Sequence, residues 1–291
     1  MTTSVRAPGM WTRLPIAPRA IVAGMVTFAV AANVWPVLLV TMGVKPAAMV
    51  EVVFLALFIA WARGAGPPRA AKAFRARAFR CASLTPTQWL WGLIAALCFA
   101  VTVHAAVYLL FRFVPYPSAA FRQGYDLSFV PSYAWRWVVV VISAASAAIC
   151  EETGFRGFVQ QPIEQRHGIA TAVFVSSLLF MAVHLTKAWA LLGMIPIVVG
   201  AGILLGLLAW SWSSLIPGIV GHFVMDVGLF AYWWTGIAGT FSARPITETG
   251  VDVPILIAGS VFAVSLAIVL LAMTRLRKAA SNRAIPSIAG V

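Results

Sequence analysis

The chain has eight acidic residues, and three of them, Glu151, Glu152 and Asp226, fall inside long apolar runs. An ionisable group at bilayer depth costs several kcal/mol, so each such residue needs a partner or a task. Glu152 and Arg156 stand four apart with the acid first, the favourable order for a helical ion pair. Glu151 is turned by about 100° from Glu152 on a helix. That divides the labour: Glu152 and Arg156 form an orienting pair, and Glu151 faces a polar centre. Phe180 precedes His184 by one helical turn, and His222 and Asp226 place an imidazole and a carboxylate on one helical face.

A carboxylate beside an imidazole can activate water, while a second imidazole and a short polar side chain stabilise a developing oxyanion. Alternatively Glu151, His184, His222 and Asp226 supply N and O ligands suited to Zn²⁺ or a similar divalent ion. Either arrangement hydrolyses an amide. No HExxH, no second intrahelical aspartate to partner Asp226 and no Gly-x-Ser-x-Gly elbow points to another proteolytic route. Two readings without proteolysis use the same residues: a buried polar network that only braces helices, and a proton or cation relay in a transporter. The relay would be favoured by paired broken helices in matching halves of the chain, and the sequence shows no such symmetry. Asp126, Glu164, Glu248 and Asp252 read as loop residues, and Glu51 as one solvated at the outer end of a span. His104 has no acidic companion in its helix, and His167 sits in a polar turn.

The elements that must position these groups follow from composition. Hydrophobic residues make up 62% of the 291 and charged residues 10%, against about 45–50% and about 25% in soluble chains. This is the composition of an integral, multi-pass membrane protein, and the fold class expected is an all-α membrane helix bundle of about eight transmembrane helices. The spans read as 20–43, 46–62, 89–113, 136–158, 168–186, 189–210, 215–236 and 254–274, each near the ~20 residues that cross a hydrocarbon core. Ala29-Val30-Ala31 resembles a cleavage site, but the apolar run continues to Val40 and favours an uncleaved anchor. With the N-terminus inside, fourteen Lys and Arg residues fall on the cytoplasmic side, six of them in the segment 63–80, and six on the other; Arg156 lies within a helix. The excess predicts both termini in the cytoplasm and a cytoplasmic (inner) membrane location. The basic residues serve topology and anionic headgroups, and no aromatic-studded basic face suggests nucleic acid. Segment 63–80 reads as an exposed, headgroup-binding loop, and the tail after Met273 as a short basic extension. Cys81, Cys98 and Cys150 have no ligand spacing and read as buried thiols.

Three parts follow: helices of residues 1–135, a core of 136–236 that carries the polar residues, and a last helix with its basic tail at 237–291, all within one membrane domain. Glu151 lies sixteen residues before His167 and His184 seventeen after it, so an antiparallel hairpin puts both about 25 Å from its tip. His222 and Asp226 reach a similar level from the start of their own span, roughly 10–17 Å deep. The small residues from Ser143 to Ala148 give the fourth span a thin side along which helices can approach.

Glu151-Glu152-x-x-x-Arg156, Phe180-x-x-x-His184 and His222-x-x-x-Asp226, in this order on three membrane helices, resemble the CPBP family. That family comprises CAAX proteases and bacteriocin-processing enzymes, also called the Abi or type II CAAX prenyl endopeptidase family. The resemblance implies an intramembrane endopeptidase in which Glu151 activates the attacking water with His184. Glu152 and Arg156 would brace the helix of Glu151, and Phe180 belongs to the second motif. His222 and Asp226 would form an oxyanion site or ligate a metal. Family members are described as metalloproteases, which implies one divalent ion, Zn²⁺ by ligand type, or else water activated by glutamate alone. Asp226 stands where the family often has Asn, which leans towards metal. The expected partners are the bilayer and a membrane-associated peptide substrate, prenylated or a precursor, cut near the cytoplasmic half of the membrane. A non-catalytic immunity or scaffold protein of the same fold is the alternative from another class, and no residue pattern specifies an oligomer.

Overall fold

A computed structural model describes residues 14–80, 82–123, 125–130, 132–187 and 193–283. Arg6, Arg13 and Cys81 lie outside the described residues, as do the side chains of Arg277, Lys278 and Arg283. Among the described residues nine main helices build the bundle: α1 (Ile16–Ala32), α2 (Val34–Met42), α3 (Val44–Ala62), α4 (Pro86–Phe113), α5 (Tyr133–Glu151), α6 (Ile169–His184), α7 (Ile195–Trp212), α8 (Ile216–Gly228) and α9 (Val253–Arg283). α5 runs directly into a nine-residue π-helix, Glu152–Gln160, and then the short helix Gln161–His167; α8 likewise runs into a π-helix at Leu229–Trp234. No strand occurs among the described residues. Seven helical runs among the described residues are long and apolar enough to cross a membrane. The outer surface is apolar too, with Val30 66%, Val40 86% and Leu57 65% exposed, as expected of a polytopic protein that faces lipid.

Local chemistry sets the boundaries. α4 starts at a capping box, with Thr85 Oγ1 accepting from Gln88 N and the Gln88 side chain accepting from Thr85 N, and Pro86 occupies the first helical position. Gly168, at φ 81°, makes the one-residue turn between His167 and α6. α5 and its extension form one helical run, Tyr133–His167, longer than the expected 136–158. The polar stretch that leads into this turn is packed inside over residues 160–164, while Gln165 to Gly168 are exposed. Gln160 Nε2 donates to the Gly206 carbonyl at 2.9 Å, Glu164 pairs with Arg80 at 2.5 Å, and Pro162 and Ile163 are buried. α6 has only 16 residues and falls short of the span expected at 168–186. α7 begins at Ile195, and residues 188–192, expected in that span, lie outside the described ones. The last helix continues through the expected basic tail to Arg283.

Three further expectations change. Glu51 is fully buried. It lies between Ala47 and Leu55 at i±4, on the buried face of α3, which packs against α5. The segment 63–80 is not a loose loop: Arg75 is 1% exposed. Its guanidinium donates to the carbonyls of Trp61, Ala65, Gly66 and Pro68 and lies over the Trp61 ring at 5.0 Å. These bonds satisfy chain-reversal carbonyls that would otherwise need water. Arg112, assigned by sequence to the outer loops, is buried and forks onto Asp252 at 2.7 and 3.1 Å, joining the ends of α4 and α9.

α1 crosses the π-helix at a glycine pair. A Cβ on Gly24 would sit 2.3 Å from Val159 Cγ2 and 2.7 Å from the Gly154 carbonyl, and one on Gly154 would sit 2.8 Å from Phe28 Cβ. Backbones this close are how membrane helices gain packing energy without a hydrophobic driving force. Replacing Gly24 by Leu is expected to destabilise the fold by about 1–3 kcal/mol through overpacking, seen as a lowered thermal midpoint in detergent. The Arg112–Asp252 link gives a second expectation. The Arg112 guanidinium holds the Asp252 carboxyl at about 2, below its ordinary 3.8. A depressed carboxylate contributes stability that is full above its unfolded value and is lost as pH falls through the folded one. Thermal stability attributable to this pair, isolated by comparison with Asp252→Asn, should therefore persist from pH 7 to pH 4 and vanish between pH 4 and pH 2.

Candidate active site

Four side chains from three helices meet at one cavity of about 360 Å³: Glu151, His184, His222 and Asp226 all line it. Glu151 is the last residue of α5 before the π-helix, His184 the last of α6, and His222 and Asp226 lie in the middle of α8. The brace beneath them is Glu152. This fully buried carboxylate accepts from Arg156 Nη1 and from His222 Nδ1 through the same Oε1, both at 2.9 Å. A carboxylate only accepts, so the Nδ1 that faces it carries the proton. His222 Nε2 points the other way, 3.4 Å from Asp226 and 3.8 Å from Glu151. The sequence assigned Glu152 to Arg156 alone; its second bond, to a residue seventy positions later, is what orients the imidazole.

Arg156 is fully buried and does more than pair with Glu152. Its Nη2 donates to the Gly202 carbonyl at 3.2 Å, and its guanidinium lies over the Phe180 ring at 4.3 Å. Phe180 in turn packs on the rings of His184, at 4.6 Å, and His222, at 6.0 Å. It is thus a wedge between the buried cation and both imidazoles. His184 Nδ1 faces the Phe180 carbonyl at 2.7 Å, which can only accept, so Nδ1 donates and Nε2 is the basic ring nitrogen.

The π-helix is the local feature that makes this possible. All nine of its residues are buried, and π segments of this kind concentrate at functional sites. Gly154 and Gly157 lower its α-helical propensity. Side-chain hydroxyls serve carbonyls at and beside the segment: Thr153 Oγ1 donates to Ile149 O at 2.6 Å and Ser176 Oγ to Phe155 O at 3.1 Å. The expected thin side of α5 serves two ends. Ala144, Ser146 and Ala148 pack inwards, while Ser143 and Ala147 line the cavity.

Sequence reasoning missed several contributors. Trp35 lines the cavity and donates from Nε1 to Ser143 Oγ at 2.7 Å, and nothing in its local sequence marks it. Asp126 and Lys187 stand on the cavity wall. Gln160 extends the Glu152–Arg156 spacing by another four residues, a signal that could have been used. His104 has a partner after all: its Nε2 lies 3.2 Å from the Met225 carbonyl, beside Asp226, in space that a Cβ on Gly228 would fill.

A divalent ion was expected on Glu151, His184, His222 and Asp226. Among the described residues no three His, Cys, Asp or Glu side chains are arranged to hold a metal ion, whereas a catalytic zinc takes three protein ligands. Both imidazoles turn Nδ1 towards protein acceptors, which leaves Nε2 of each as the nitrogen that faces a ligand or a proton.

The burial pattern separates the two neighbouring glutamates. Glu152→Ala leaves Arg156 buried without its carboxylate and should cost about 3–5 kcal/mol. Glu151, whose side chain is 14% exposed, should be replaceable by Ala with a change below about 1 kcal/mol. Thermal unfolding of the two variants side by side in detergent checks the contrast.

Comparison with known proteins adds an independent line. No curated protein and no solved structure matches the chain. One family model does, described as Type II CAAX prenyl endopeptidase Rce1-like, over residues 133–228. That stretch begins with α5 and ends with α8, so it contains every residue of the polar cluster. Over α5 to α8, which supply much of the cavity wall, the chain is thus similar to the Rce1-like type II CAAX prenyl endopeptidases, a family of membrane proteases.

Proposed function

We propose that this protein is an intramembrane endopeptidase that hydrolyses a peptide bond with a water activated by Glu151 and His184. The observation that carries the reading is the common cavity shared by Glu151, His184, His222 and Asp226, with His222 oriented by a buried carboxylate at 2.9 Å. In this reading a water between the Glu151 carboxylate and His184 Nε2 gives up a proton to Glu151 as its oxygen attacks the scissile carbonyl. The carbonyl π pair becomes an oxyanion, which His222 stabilises from Nε2 when that nitrogen is protonated. Collapse of the adduct breaks the C–N bond, and the leaving amine takes the proton that Glu151 received, with His184 as the second basic group in reach. Glu152, Arg156 and Phe180 are positioning residues that touch no reacting atom.

The apolar walls around this polar floor suit an extended peptide drawn from a membrane protein or a membrane-associated precursor, whether or not it is prenylated. No step in this scheme needs a metal.

Purified protein in detergent, offered a labelled peptide library with prenylated and unprenylated members, tests the reading. Glu151→Ala should lower cleavage by at least about 10²-fold, the scale of a lost general base, without the stability loss of Glu152→Ala. Treatment with a chelator should leave cleavage unchanged. Cleavage that survives Glu151→Ala overturns the assignment, and loss on chelation with recovery on added Zn²⁺ replaces glutamate-activated water with metal chemistry.

A further inference from the structure

The helices sort the connecting segments onto two ends of the bundle. One end carries the start of α1, residues 63–85, Gly168, the turn after Trp212 and the last residues of α9; the other carries Gly43, residues 114–132, Lys187 and residues 235–252. Side-chain contacts tie each end together. At the first, Arg80 reaches both Glu164 and the Ala209 carbonyl, and Trp212 Nε1 donates to the Gln88 carbonyl at 3.0 Å. At the second, Arg112 binds Asp252, and the Tyr133 hydroxyl donates to the Ile237 carbonyl at 3.1 Å.

The cavity belongs wholly to the second end. From Glu151 it rises past Ala147 and Ser143 on α5 to Asp126, Lys187 and Thr235, and no residue from the connecting segments of the first end lines it. Below Glu151 the way to the first end is shut. The π-helix is buried along its whole length, Phe155 is fully buried, and the Glu152–Arg156 pair fills the space beside it. The route from the polar cluster to water therefore runs one way only.

The charge distribution says which side that is. Among the described residues twelve Lys and Arg belong to the first end and six to the second, and the more basic end is retained in the cytoplasm. Building on the protease reading above, we infer that the cavity opens away from the cytoplasm and accepts peptide segments presented from that side. The substrates are juxtamembrane stretches of exported or membrane-inserted polypeptides, in place of the cytoplasmic-side cleavage expected from sequence. The mouth carries one charge of each sign, Asp126 and Lys187, with the Lys187 ammonium 5.9 Å above the Tyr125 ring. Its side wall is α2, whose opposite face is exposed at Val37 and Val40. One short helix thus separates the cavity from lipid at that level, the place where a membrane-anchored segment would lie.

Thiol accessibility in sealed vesicles tests the inference without depending on activity. The full-length protein is studied in right-side-out and in inverted membrane vesicles, with a small, positively charged, membrane-impermeant methanethiosulfonate as the probe. Wild type supplies the background of Cys98, Cys150 and Cys81. Ala147→Cys places a thiol on the cavity wall one turn from Glu151, and Thr235→Cys places one at the mouth. Ala76→Cys, in the basic segment, reports the cytoplasmic face. Because a charged reagent does not cross the bilayer, Ala147→Cys and Thr235→Cys should react at least about tenfold faster in right-side-out vesicles, and Ala76→Cys faster in inverted ones. The opposite preference, or an Ala147→Cys thiol that is inert from both sides while Thr235→Cys reacts, overturns the open route. The peptide library added to the same sealed vesicles separates the two readings. Cleavage confined to inverted vesicles refutes the sidedness and keeps the protease. Sided labelling as expected with no peptide cleaved in any format keeps the sidedness and refutes the protease.

Discussion

One buried carboxylate holds together the parts that matter. Glu152 receives a proton-bearing nitrogen from Arg156 on its own helical run and another from His222 on α8, both at 2.9 Å, with no exposure to solvent. A buried charge is tolerated only when it is paired and hydrogen-bonded, so neither partner can turn away without leaving the other uncompensated. Arg156 extends the constraint, because its second amine reaches the Gly202 carbonyl of α7 and its face covers Phe180 of α6. Through one ion pair the helices α5 to α8 are thereby indexed to one another. The His222 ring is aimed as a by-product of satisfying a charge, and a site aimed in this way needs no loop to hold it.

The π-helix supplies the geometry that this pairing needs. A widened turn has weaker backbone bonding than an α-turn, and here hydroxyls of Thr153 and Ser176 bond to carbonyls at and next to it. Gly24 and Gly154 let α1 close over it at backbone contact. In lipid such close packing replaces the hydrophobic effect as the source of helix association. The irregular segment is therefore kept away from lipid, as unsatisfied or weakly bonded backbone must be. Its burial also closes the cavity at the basic end, so local irregularity and the direction of access have one cause.

Arginine plays a structural part that its net charge conceals. Of the basic residues at the first end of the bundle, Arg75 and Arg80 are buried, and they bond to chain carbonyls and Glu164. Besides carrying charge, Arg75 closes the reversal between α3 and α4, and Arg80 ties the same segment to α7 and to Glu164. An amphipathic side chain with five donors can do both when it sits at the membrane boundary.

Much of this was legible in the sequence because the relevant costs are local. Apolar runs of membrane length predict helices, and each run expected holds helix among the described residues, with a break at Asn33 in the first and only 16 residues in the fifth. Ionisable residues inside such runs are expensive wherever they end up, which is why Glu151, Glu152, Asp226 and their histidine companions could be picked out without coordinates. The spacing of Glu152 and Arg156 predicted their pairing, since i and i+4 are neighbours on any helix. What lay beyond the sequence depends on partners distant along the chain. The bond from Glu152 to His222 spans seventy residues, and the choice of which face of α3 meets α5 decided that Glu51 would be buried. Gln160 and Glu164 looked like turn residues because their polarity was visible and their partners, Gly206 and Arg80, were not. The end at which the cavity opens was likewise set only when eight helical runs packed, because hydropathy records whether a residue lies in the membrane and is silent on which neighbour it faces there.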